Sequence, residues 1–141
     1  HIMRRRQRQM CIRDRNVLSK LPDKEKITVI NPPKDTESFN IANTETHDET
    51  LKVLLESEIY FHASEHETVG LPLYEAQNLG LKVVAPLSSY TQYFSPESTF
   101  LYNMNDPDDA LKKIHEAKSS SIETIDTLNY SENWKIVLEN I

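Results

Sequence analysis

Glycine occurs only twice in 141 residues, at Gly70 and Gly80, and this scarcity constrains the chain more than any other feature. A backbone with so few glycines has few places where it turns through positive φ at no steric cost, so the two it keeps mark turns that need them. Both flank one short helical pattern, Leu71-Pro72-Leu73-Tyr74-Glu75-Ala76 and onward to Leu79. Pro72 suits the first helical turn, where an amide has no intrahelical partner in any case, and Gly80 suits the left-handed position that closes a helix. Ahead of this segment stands Ile59-Tyr60-Phe61 and after it Val83-Val84-Ala85. Short apolar runs of this kind form central parallel strands, buried on both faces.

The rest of the chain from Lys26 repeats the alternation of short β-type runs with helical patterns. The fold class is therefore α/β, with a parallel sheet carrying helices on both faces. Lys26 to Ile30 and Ser38 to Ala42 read as strands, separated by the break Asn31-Pro32-Pro33. Thr46 and Glu49 form a Ser/Thr-x-x-Glu capping box, opening a helix that carries Leu51, Leu54 and Leu55 on one face and ends near Glu56. Thr99 to Tyr102 is a further strand, and Asp106-Pro107 supplies the cap and first residue of a helix with Ala110, Leu111 and Ile114 toward the core. A break follows at Lys118 to Ser121. Ser131 then caps a last helix whose Trp134, Val137, Leu138 and Ile141 make a packing stripe.

Composition narrows the function classes. Hydrophobic residues at 38% and charged residues at 27% are ordinary for a globular domain, and the length suits one such domain. Residues 1–15 are unlike the remainder, with Arg4, Arg5, Arg6, Arg8, Arg13 and Arg15 crowded together, and they read as a leader foreign to the domain at 16–141. Without them, 10 basic residues face 21 acidic ones, a net charge of −11 that repels phosphate backbones, so no nucleic-acid partner is expected. A single cysteine, Cys11, excludes an internal disulfide framework. No apolar run reaches the length of a membrane span and no signal-peptide pattern is visible, so a cytoplasmic location is the default expectation.

The chemistry concentrates between the two glycine-bounded strands. The amides of Thr68, Val69, Gly70 and Leu71 gather where the helix begins, and backbone dipoles there favour an anion such as a diphosphate. Gly70 keeps the approach clear. Such a site lies at the carboxyl end of a parallel strand, the usual ligand position in open α/β sheets. Glu67 precedes it in the loop and Glu75 follows one turn into the helix. Two carboxylates beside one anion site disfavour a bare phosphate, but they accept hydrogen bonds from sugar hydroxyls on either side of a diphosphate. His62, at the strand end, is placed to line a sugar pocket. His62 and His66 have no third ligand nearby, so no metal site is read from them. Tyr90, Tyr93 and Phe94 form a loop packed on the sheet, with base stacking as the alternative, and Lys24, Lys26 and Lys34 are surface charges.

The pattern Ser64-x-x-Glu67-x-x-Gly70-Leu71-Pro72-x-x-Glu75-Ala76, followed by Gly80-x-x-Val83-Val84, resembles the donor-site motif of glycosyltransferase family 4. The similarity is tight from Ser57 to Pro86 and loose from about Ile27 to Ile141. It implies a retaining enzyme of GT-B fold, this chain supplying the Rossmann-like C-terminal, nucleotide-sugar-binding domain and an N-terminal domain completing the cleft. Glu75 then holds the ribose hydroxyls, Glu67 faces the transferred sugar as the catalytic carboxylate, and Thr68 to Leu71 contact sugar and phosphate. The implied partners are a nucleotide-activated sugar and an unidentified acceptor in polysaccharide or glycoconjugate synthesis, with no metal or other cofactor. In place of the family's Gly-aromatic-Gly turn this chain has Thr68-Val69-Gly70, and the family's basic pair for the diphosphate has no match here. The rival reading is a Rossmann-like interaction module that binds without catalysing.

Overall fold

A computed structural model describes residues 16–23, 26–30, 39–64, 70–93 and 97–121. Its strands are β1 (Thr28–Ile30), β2 (Asn40–Ala42), β3 (Ile59–Phe61), β4 (Lys82–Pro86) and β5 (Thr99–Tyr102). The helices are α1 (His47–Leu55), α2 (Leu71–Asn78) and α3 (Pro107–Ser119), preceded by a helical turn over 16–18. Every strand pair is parallel: β1 with β2, and β3-β4-β5 as a three-stranded sheet. The result is a Rossmann-like α/β arrangement.

Strand β4 divides the core. Alternate residues of a strand point to opposite faces, and Val83 and Ala85 join Leu54, Leu73, Ala76 and Leu81 on the side of α1 and α2. Val84 joins Val17, Tyr102, Ala110, Ile114 and Ala117 on the side of α3. Helices thus cover both faces of the sheet, and Val83 to Pro86 are wholly buried. Strand β3 departs from expectation, because its three residues are only partly buried. Among the described residues it pairs with β4 alone, so it lies at an edge of its sheet rather than inside it.

The helix limits follow the local chemistry. At α1 the capping box is complete: the Glu49 amide donates to Thr46 Oγ1 at 3.3 Å, and Glu49 Oε2 accepts from the amides of Thr46 at 3.3 Å and Glu45 at 2.7 Å. Those two backbone bonds hold the Glu49 carboxyl below its ordinary pKa, because they favour the ionised acceptor. At α3 Asp106 Oδ1 accepts from the amides of Asp108 at 3.0 Å and Asp109 at 3.2 Å. Helix α2 ends in Gly80 at φ 82°, with Gly80 N–H donating to Gln77 O and Leu81 N–H to Ala76 O, both at 2.9 Å. That is the paired closure that a left-handed glycine permits. The expected last helix, with Trp134, lies outside the described residues, as do residues 1–15.

Candidate functional site

Strand β3 delivers the chain to the carboxyl edge of the sheet, and α2 starts back from that edge. Gly70 stands between them at φ 72° and ψ 40°, the left-handed region where a side chain would collide with the backbone, and no side chain caps the helix it opens. The Gly70 carbonyl accepts from the amides of Leu73 at 3.0 Å and Tyr74 at 3.4 Å. Pro72 contributes no N–H. The amides that an α-helix leaves for an outside partner therefore reduce here, within the helix, to Leu71, with Gly70 adjoining. Glu67, Thr68 and Val69 precede this point and lie outside the described residues, as does His66.

Helix α2 is fixed by its inner face. Leu73 and Ala76 are fully buried against β4, while Leu71 is 63% exposed. Glu75 is four residues after Leu71 and so shares its outer face. Helical side chains lean toward the amino end, which for Glu75 is the direction of the α2 start. Its Oε1 is 3.3 Å from Nε2 of His47, the first residue of α1. The sequence reading did not select His47. The capping box placed it at a helix start, but no spacing rule connects it with Glu75 on another helix.

His62 is brought to the α2 side of the sheet, one residue beyond β3. It is buried, with its amide donating to Val84 O at 2.8 Å and its carbonyl accepting from Tyr102 Oη at 3.1 Å. Its Nδ1 is 3.2 Å from Tyr60 Oη, and the Tyr90 ring meets the imidazole edge-on at 6.3 Å. Tyr90 Oη donates to the Ser64 carbonyl. Tyr90 thus packs over the β3 end as expected of a loop lying on the sheet, and His62 stands behind it. Any ligand contact by His62 passes beside that ring.

The opposite face of the sheet has a concavity of about 40 Å³, lined by Phe61, Ala63, Tyr102, Met104, Pro107 and neighbouring residues. That volume is room for a few waters at roughly 10–15 Å³ each. It lies across the sheet from α2, at the carboxyl ends of β3 and β5 and the start of α3. Lys26 is a surface charge, 3.7 Å from Asp23. Among the described residues no group of three His, Cys, Asp or Glu gathers to hold a metal ion, and no helix is long and apolar enough to cross a membrane. No family model and no curated protein matches the chain.

Proposed function

We propose that this chain binds the nucleoside diphosphate of an activated sugar, as the donor-binding domain of a retaining glycosyltransferase with two Rossmann-like halves. The observation that carries the reading is the glycine-opened start of α2 at the carboxyl edge of a parallel sheet, with a carboxylate one turn inside it. Gly70 and Leu71 present amides to the diphosphate, and the α2 dipole adds to them without a metal. Glu75, leaning over that start, accepts the vicinal hydroxyls of the ribose. Glu67, in the preceding loop of the motif, faces the sugar, where positive charge develops as the bond to the diphosphate breaks. The product is a glycoside of an acceptor held by the second domain, in polysaccharide or glycoconjugate synthesis.

Calorimetric titration of the chain with uridine, guanosine and adenosine diphosphates in metal-free buffer tests this. One of them binds, and Glu75→Gln weakens it about 10- to 100-fold, the worth of a hydrogen bond to a charged group. In the two-domain enzyme the same substitution raises KM, because the ribose is unchanged in the transition state, whereas Glu67→Gln lowers kcat about 100-fold or more. Absence of nucleotide binding up to millimolar concentration would replace this reading with that of an interaction module.

A further inference from the structure

We infer that His47 is a positioning residue for Glu75, setting the carboxylate so that the site distinguishes ribose from 2′-deoxyribose. This inference rests on the nucleotide reading of the α2 start. The observation is the 3.3 Å contact between His47 Nε2 and Glu75 Oε1, which joins the first turn of α1 to α2. Glu75 has several rotatable bonds and a side chain that remains 31% exposed, so alone it samples many orientations. His47 engages one carboxylate oxygen. Among the described residues the other, Oε2, meets no donor, and we assign the hydroxyl pair to it. A carboxylate fixed by one oxygen and open at the other presents a defined acceptor direction, which is how an anchoring residue lends selectivity to one that touches the ligand.

The local structure explains why a histidine can serve at that place. Thr46 and Glu49 fix the first turn of α1 through the capping box, so the backbone of His47, the first helical residue, is held. The charged groups adjoining it on its own element are Glu45, Asp48 and Glu49, all acidic, and the side chain facing it from α2 is Glu75. Among these described side chains the imidazole is the one that offers an N–H, and it stands at Glu75 Oε1.

The test measures affinities for a ribonucleoside diphosphate and its 2′-deoxy counterpart, in the parent chain and in His47→Ala, His47→Gln and Glu75→Gln. The parent prefers the ribonucleotide by about tenfold, the worth of one hydrogen bond to a charged group. Glu75→Gln loses most of this preference. His47→Ala loses it also, although it leaves Glu75 in place, and His47→Gln, which keeps an N–H donor at a similar reach, restores it. A residue that only supported the fold would lower both affinities in parallel and leave their ratio unchanged. If Glu75→Gln loses the preference while His47→Ala keeps it, the inference is overturned and the nucleotide reading stands. If the parent binds no nucleotide, both are overturned together; if Glu75→Gln keeps the preference, the inference falls and, of the nucleotide reading, only the assignment of Glu75 to the ribose falls with it.

Discussion

The three helices begin in two different ways. Helices α1 and α3 are closed by their own sequence: Thr46 with Glu49 in one, and Asp106 in the other, take up the first amides, and acidic residues fill both first turns. Helix α2 has no side-chain cap and no acidic residue in its first turn, and it opens on a left-handed glycine. Closed starts contribute stability and leave the dipole answered from within the chain. The start of α2 forgoes that side-chain stabilisation and, within the helix, leaves the Leu71 amide without a cap. The difference separates two starts whose amides are answered by their own side chains from one whose first amide is not, which is where the proposed ligand would bind.

The comparison can be broken first at Leu73, which seats the open start on β4. Leu73→Ala removes a fully buried side chain and should cost about 2–5 kcal/mol, read as a fall in the denaturation midpoint together with loss of nucleotide binding. A midpoint within about 0.5 kcal/mol of the parent would show that α2 is not held by this face. Gly70→Ala and Gly80→Ala sharpen it next. Each forces a side chain into the left-handed region at about 1–2 kcal/mol, so both lose similar stability. Only Gly70→Ala should also lose nucleotide affinity. Equal affinities in the two variants would mean that Gly70 serves the turn alone.

Asp106→Ala opens a closed start and should lower stability by about 1 kcal/mol, a few degrees in thermal midpoint, with nucleotide affinity unchanged. A change in affinity would tie α3 to the site. The smallest effect belongs to Glu49. Its carboxyl is held below the ordinary value in the folded chain, so the ionised form contributes stability above the ordinary glutamate range, and that contribution is lost as pH falls through the folded value. The stability difference between the parent and Glu49→Gln should therefore shrink on acidification from neutral pH. A difference that grew in acid would reverse the assigned sign.

Local signals were legible in the sequence wherever one residue type answers one backbone need. Thr46, Asp106, Pro107, Gly70 and Gly80 stand where the sequence reading put them, because capping and positive φ leave few alternatives. The apolar run at Val83 to Ala85 gave a central strand for the same reason. Ile59-Tyr60-Phe61 looked equivalent and, among the described residues, pairs on one side only, since an apolar run reports burial in general and carries nothing about how many neighbours a strand has. The pairing of His47 with Glu75 was illegible because it is set by how α1 and α2 settle on the sheet, a property of packing rather than of spacing. Glu67, Thr68 and Val69 were selected from the helix start and from the motif, and they stand outside the described residues.

Lys82, at the first residue of β4, donates through Nζ to the carbonyls of Ala117 at 2.8 Å and Ser120 at 2.6 Å. It ties the end of α3 to the amino edge of the sheet, whereas Gly70 and Glu75 belong to the carboxyl edge. That separation gives the molecule a convenient place for an observer: a dye carried at Ser121 is exposed beside this tether, at the edge opposite the proposed nucleotide site. Its emission should follow denaturation and stay silent during nucleotide titration, so one labelled sample can distinguish a variant that has unfolded from one that has only stopped binding.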